Sequence, residues 1–302
     1  MEAIARQLKE VQVEDVRINE PLSRHTTWKV GGPADLLVYP RSKEELQRAM
    51  AVIYQSGIPW RVIGRGSNLL VRDGGIRGAV IKTGKGIDDF RVEGTRVIAG
   101  GGYSMIRLAS MVAKYALTGL EFGGGIPGTV GGAVFMNAGA HGSEVSRVLE
   151  SAEVLLETGE WIVLSNDELE FSYRTSILQS KLRGIVTEAT FRLEEGDRRT
   201  IASSLAQFKD RRRQTQPLQY PCAGSVFRNP PGDHSGRLIE AAGLKGYRVG
   251  DAEVSTQHAN FIINRGQATA EDVLTLIHHI IRTVEDRFGV SLEPEVQVVG
   301  EG

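Results

Sequence analysis

One cysteine, Cys222, is the only thiol in the 302-residue chain, so no disulfide can close within it, and the sequence fits a reducing compartment. No run of eighteen apolar residues occurs, which excludes a membrane-spanning helix. The first stretch, MEAIARQLKEVQVEDV, is charged and amphipathic and lacks the apolar centre of a signal peptide. Neither sign of charge dominates: 36 Lys and Arg face 37 Asp and Glu, a net charge of −1, which leaves no electrostatic footprint for nucleic acid. Six histidines carry no metal-ligand spacing. His278 and His279 are adjacent and point differently on a helix, and with one thiol no zinc set assembles. These absences leave a cytoplasmic protein with no metal, nucleic acid, membrane or obligate protein partner expected.

What is abundant is glycine, 36 residues in neither a G-X-Y period nor a low-complexity tract, in a chain that is 41% hydrophobic. That length and apolar content favour two domains over one. Ser42 and Glu45 read as a capping box that opens a helix, with Leu46, Ala49, Met50 and Ile53 on one face and Gly57 at its end. WRVI (60–63) and GAVIK (78–82) read as buried strands, and 104–118 as a helix with Leu108, Met111, Val112 and Tyr115 inward. From 150 the runs SAEVLL, WIVL and GIVTEATFRL predict an antiparallel meander. A helix over about 197–213 follows, then a small helix SGRLIEAAG, a strand NFIIN, and a long helix with a capping box from Thr269 to Asp272. EPEVQVVG predicts a terminal strand. Strands in runs, with interspersed helices, point to α+β, and the best boundary is near 196 at EEGDRR.

Two turns stand out. GGGIPGTVGGAVFMNAGA (123–140) meets G-x-G-x-x-G on paper, but it follows a helix instead of a strand, so the dinucleotide fingerprint is weak. GAVIKTGKG fails the phosphate-loop pattern because Gly86 stands where Ser or Thr belongs. Physical reasoning needs neither motif. With Pro127 as first helical residue, Gly128, Thr129, Gly131 and Gly132 would offer bare N–H donors to an anion such as pyrophosphate. The plain alternative is backbone packed on backbone with no ligand. GRGSN (64–68) supplies a second donor-rich turn after a strand, which favours a dinucleotide gripped by main chain.

RHTTWKVGGPADLLVYPRSKEEL, IGRGSNLLVRDGG and GIPGTVGGAVFMNAGAHG, continued by FSYRTS, CAGSVFRNP, the 235–264 stretch and LEPEV, resemble the UDP-N-acetylenolpyruvoylglucosamine reductases. The resemblance spans all but about the first twenty residues. It implies an FAD-binding fold of the vanillyl-alcohol-oxidase type with two subdomains over 1–196, joined by the terminal strand 290–302. A UDP-sugar domain over 197–289 completes it. The chain resembles the shorter subtype, without the tyrosine-loop insertion. Noncovalent FAD would lie on Gly64, Arg65, Gly66, Ser67, Asn68 and Leu69, on Gly124, Gly125, Gly128, Thr129, Gly131 and Gly132, and on Asn137, Ala138 and Gly139. Covalent attachment at His25 or His141 is the chemical alternative. NADPH is the implied electron donor.

By the same resemblance, Ser225, Arg174 and Glu295 are catalytic. Hydride addition to an enolpyruvyl ether puts negative charge on the carboxylate, so the site needs a charge stabiliser and a proton donor. Arg174 has a planar, always-charged fork suited to a carboxylate. Ser225 matches the proton donor; on its residues alone it reads as a turn or cap serine, and G-x-S-x-G fails because Phe227 replaces the second glycine. Glu295 would repel an enediolate unless it is protonated or works through a water. Tyr173 and Asn229 match substrate-lining positions, and Arg212, within KDRRR, is either a solvated helix end or a contact to the UDP pyrophosphate. Two other functions remain: an oxidase of the same fold passing electrons to oxygen, and a noncatalytic nucleotide-binding module.

Overall fold

Strands govern the middle of the chain, as its β-branched runs predict. Trp161–Ser165, Leu149–Leu156, Gly184–Arg192, Arg96–Gly100 and Phe90–Glu93 lie in that order in one antiparallel sheet. Alternation sends Ala152, Val154, Ala189 and Phe191 into a core shared with Leu108 and Val112 of the Met105–Lys114 helix. The register slips where Glu153 faces Glu188 but Val154 faces Val186, so Thr187 is an extra residue in its strand. On its other side Thr187 keeps the register with Arg96–Gly100, its carbonyl accepting the Gly101 N–H at 2.7 Å as the next rung.

The computed structural model describes residues 1–302 and divides into two units: Met1–Ile18, Leu36–Gly64 and Gly78–Arg211 in the first; Asn19–Asp35, Arg65–Arg77 and Arg212–Gly302 in the second. Most of the Arg198–Thr215 helix falls in the first unit, while two early segments, 19–35 and 65–77, fall in the second.

In the first unit Trp60–Ile63 pairs in parallel with residues 79–82, Val62 opposite Ile81. The Lys43–Ser56 helix buries Leu46, Ala49, Met50 and Ile53 as its spacing predicts, and Gly57 ends it at φ 66°. Only half of the expected capping box forms. Ser42 accepts the Glu45 N–H at 3.1 Å, but the Glu45 carboxylate turns to the Arg41 and Glu14 amides at 2.7 and 3.1 Å. A second expectation is corrected at 104–118. The helix stops at Lys114, Ala116 turns left-handed at φ 57°, and Leu117–Thr118 leaves to pair with Glu194–Glu195. Tyr115 is therefore 52% exposed and not in the core.

The second unit gathers Trp28, Leu70, Val226, Phe227 and Ile239 around the Ala270–Phe288 helix, which contributes Val273, Leu276, Ile277, Ile280 and Val284. Arg248–Val249, Ala252–Val254 and Ile262–Asn264 form a small antiparallel sheet. The terminal strand is shorter than EPEVQVVG suggests: Gln297–Val299 alone pairs, in parallel, with Leu69–Val71. Thr269 and Asp272 complete the capping box on the long helix, and Asp73 adds a cap from far along the chain. Its two carboxylate oxygens accept the Ala270 and Glu271 N–H groups at 2.9 and 3.0 Å. An anion there satisfies two orphan donors and meets the positive end of the helix dipole. Asp73→Ala should cost about 1 kcal/mol, read as a lower urea midpoint with an unchanged slope.

Candidate functional site

In the first unit, Glu121–Gly125 makes one short 3₁₀ turn and Val130–Phe135 a six-residue helix. Pro127 is not its first residue. Thr129 is the cap, its Oγ1 accepting the Gly132 N–H at 3.3 Å, because the chain must first bridge to Ser104 and pass Tyr103. The Gly131 N–H is not free either: it donates to the Gly101 carbonyl at 2.8 Å, the same Gly101 that the Thr187 bulge anchors. The amides that find no protein acceptor are those of Gly128 and Thr129. So short a helix adds little dipole, and the donors act locally.

The glycines differ in what they serve. A Cβ on Gly64 would overlap Thr129 Oγ1, so this residue lets the two turns touch. On Gly131 it would stand 3.1 Å from the carbonyls of Gly101 and Val186. On Gly132 it would meet only Thr129 Oγ1, at 3.4 Å, and on Gly124 only Leu205, at 3.1 Å. A Cβ on Gly125 would come within 3.1 Å of the His141 ring, which stacks on Phe208 with ring centres 4.0 Å apart.

The following residues hold Arg174. Asn137 is buried; its amide donates to the Ser172 carbonyl and accepts the Ser146 N–H, both at 3.0 Å. Ala138 closes the helix by bonding back to Ala133, and the Gly139 carbonyl accepts from Arg174 Nη2 at 3.0 Å. Ser172 and Thr175 exchange both backbone bonds at 3.1 Å, leaving Tyr173 and Arg174 as a two-residue turn. Arg174 sits at φ 58°, a left-handed conformation rare for arginine, with its guanidinium 4.9 Å from the Tyr173 ring centre. A strained backbone, a carbonyl and an aromatic face all fix one cation.

In the second unit the Arg65–Leu69 turn rests on 25–27. Gly66, at φ 63°, would put a Cβ 2.5 Å from the His25 carbonyl, and its own carbonyl accepts the Thr27 N–H. The His25 imidazole lies 3.0 Å from Glu20. Arg65 is exposed and Ser67 half-buried. Asn68 donates to the Glu295 carbonyl at 3.1 Å and its own carbonyl accepts the Gln297 N–H, so this side chain binds protein.

Ser225 opens onto a cavity of about 410 Å³ lined also by Asn229, Arg237, Gln257, His258 and Asn260. The segment after it is held on two sides. The Val226 carbonyl accepts the Glu295 N–H at 2.7 Å, and Asn260 bonds both backbone groups of Phe227. Asn229 Oδ1 accepts the Ser235 N–H at 3.1 Å at the start of the Ser235–Ala241 helix. Arg212 bonds Gln216 at 2.9 Å; burial lowers its pKa, with the neighbouring Cys222 opposing. Burial likewise pushes the Cys222 thiol up. His258 and Asn260 carry no mark in the sequence, whose histidines suggest only metal ligation or covalent flavin attachment. Burial first, then Lys245, pushes the His258 imidazole below its ordinary pKa, with Glu240 opposing.

Residues 34–165 match the family described as FAD binding domain, and 216–299 match the UDP-N-acetylenolpyruvoylglucosamine reductase C-terminal domain. The reductase of that name from Anoxybacillus flavithermus is 54% identical over 99% of both chains. The crystal structure of the Thermus caldophilus enzyme superposes with a TM-score of 0.80 at 40% identity, covering 94% of this chain and 98% of that one. The chain belongs to the UDP-N-acetylenolpyruvoylglucosamine reductase family. It is an oxidoreductase with the vanillyl-alcohol-oxidase type of FAD-binding fold. Berberine bridge enzyme from Eschscholzia californica shares that fold alone, with a TM-score of 0.52 at 12% identity over 65% of this chain and 44% of that one.

FAD is the cofactor of this reductase, and the residues fit it. The unpartnered amides of Gly128 and Thr129 lie in the matched range, beside the side-chain-free Gly132. Gly64 is thus a packing glycine, whereas a Cβ on Gly132 has room. Gly64→Ala should lower the melting temperature of the FAD-free protein. Gly132→Ala should leave it unchanged or higher, since alanine favours helix by up to about 1 kcal/mol, while weakening FAD retention as read from visible absorbance.

Proposed function

We propose that this chain reduces the enolpyruvyl ether of UDP-N-acetylglucosamine to UDP-N-acetylmuramate, a step in peptidoglycan precursor synthesis in the cytoplasm, with NADPH as electron donor. The observation that carries the reading is Ser225, at the edge of a polar cavity and backbone-linked through Val226 to Glu295, in a chain 54% identical to a reductase of that name. FAD would be held by the first 196 residues with the terminal strand, and the UDP-sugar by 197–289.

When bound, FAD supplies the hydride for the methylene carbon. The substrate's electron pair then shifts toward its carboxylate, and Arg174 stabilises that growing charge. Its fork gives two parallel charge-assisted bonds, and its strained turn means little reorganisation is needed when the charge develops. Ser225 gives its hydroxyl proton to the carbon bearing the ether oxygen and regains one from solvent, so hydride and proton together saturate the double bond. Glu295 acts protonated or through a water, since a bare carboxylate would oppose the enediolate. Tyr173 orders Arg174 and lines the substrate, as does Asn229. Arg212 contacts the pyrophosphate.

Ser225→Ala should let NADPH bleach the flavin at the parent rate while the UDP-sugar no longer restores its colour. Parent-like turnover would remove Ser225 from the mechanism. Arg174→Lys should cut turnover by roughly 10²-fold with FAD content unchanged; joint loss of both would make Arg174 structural. Rapid reoxidation by air with no response to the UDP-sugar would make the enzyme an oxidase.

A further inference from the structure

Asn260 is buried, 4% exposed, yet every hydrogen bond of its side chain goes to one neighbouring residue. Its Oδ1 accepts the Phe227 N–H at 2.9 Å, and its Nδ2 donates to the Phe227 carbonyl at 2.8 Å. The Asn260 backbone carbonyl accepts the Val226 N–H at 2.9 Å. A carboxamide here does what a paired strand would do. It closes a ladder on the segment that carries Ser225, where the chain offers no strand. On the other flank, Val226 accepts the Glu295 N–H at 2.7 Å and Arg228 donates to the Glu293 carbonyl at 2.9 Å.

We infer that Asn260 is the positioning residue for Ser225, setting the depth at which the hydroxyl meets the substrate and, through the Val226 carbonyl, the place of Glu295. The inference rests on the proton-donor reading of Ser225. Asn260 touches no reacting atom. Without it, two buried backbone groups of Phe227 lose their partners, and the segment must shift or admit water. A displacement of about 1 Å at a donor costs on the order of 10²-fold in rate.

Asn260→Asp tests this, because a carboxylate accepts from the Phe227 N–H but repels its carbonyl. Once protonated, it donates and accepts as the amide does, and burial beside a carbonyl raises the pH at which that happens. The expected result is an about 10²-fold slower reoxidation of reduced flavin by the UDP-sugar at pH 8, with reduction by NADPH unchanged. The rate should climb toward the parent's as pH falls. Asn260→Ala should be equally slow with no acid recovery. His234, His258, Arg237 and Glu240 share the cavity and Glu295 lies on the other flank; all are present in Asn260→Ala as well, so the recovery is read against the Ala profile.

Hydrogen exchange over 223–228 in the protein without substrate gives a second readout: protection falls in Asn260→Ala and is kept in the parent. An Asp variant as fast as the parent at pH 8, or one without acid recovery, overturns the proposal. So does loss of FAD and of cooperative melting in both variants, which would assign Asn260 to the fold. Ser225→Ala is run alongside. If it turns over normally, the donor reading has failed; if it stalls while Asn260→Asp stays fast, only the positioning role has.

Discussion

A buried peptide group must find a partner, and much of this molecule follows from where its irregular segments find theirs. Thr187 begins one such chain of bonds. Where the Gly184–Arg192 strand continues its pairing past Gly100, the Thr187 carbonyl takes the Gly101 amide, and the Gly101 carbonyl takes the amide of Gly131. A Cβ on Gly101 would overlap Val186, so the crossing depends on a residue without one. The sheet thus sets the height of the glycine helix, and the amides it leaves over at Gly128 and Thr129 follow from that placement.

The second unit meets the same demand with side chains. Asparagine does the work three times. Asn68 holds the Glu295 carbonyl, Asn260 holds Phe227, and Asn264 donates to the Trp28 carbonyl at 3.0 Å while accepting from Gly266 and Ala268. A carboxamide has both a donor and an acceptor on a short arm, so it can replace a missing strand without carrying charge into the interior. Loop segments that no strand flanks are in this way hydrogen-bonded on both backbone groups, as Phe227 is.

Local features were legible in the sequence where their cause is local. Thr269 and Asp272 form the box their spacing predicts, and the Leu46–Ile53 stripe is buried as its period requires. Reading failed where a distant partner competes. Glu45 leaves its cap for Glu14 and Arg41, Tyr115 is turned out when Leu117 departs to pair with Glu195, and Pro127 loses the helix start to Thr129. The family motifs carry Ser225, Arg174 and Glu295 as residue types. Nothing in their spacing says that Arg174 is left-handed, that Asn137 pins its turn, or that Asn260 braces Ser225, because each depends on contacts from 33 to 35 residues away in the chain. The Asn68 side chain donates to a carbonyl 227 residues on, a bond that no local pattern announces.

Trp28 ties the second unit to an early part of the chain. Its indole donates to the Ile262 carbonyl at 2.7 Å and its ring lies in a core with Leu70, Val226 and Ile280. Together with Leu69–Val71, which waits for Gln297–Val299, it makes this unit a composite of the beginning and the end of translation. On the ribosome, residues 19–35 and 65–77 emerge long before the strand and core that cover them. Trp28 and Leu70 are then exposed apolar surface for most of synthesis, a period in which the nascent chain depends on chaperones or on the speed of its own completion.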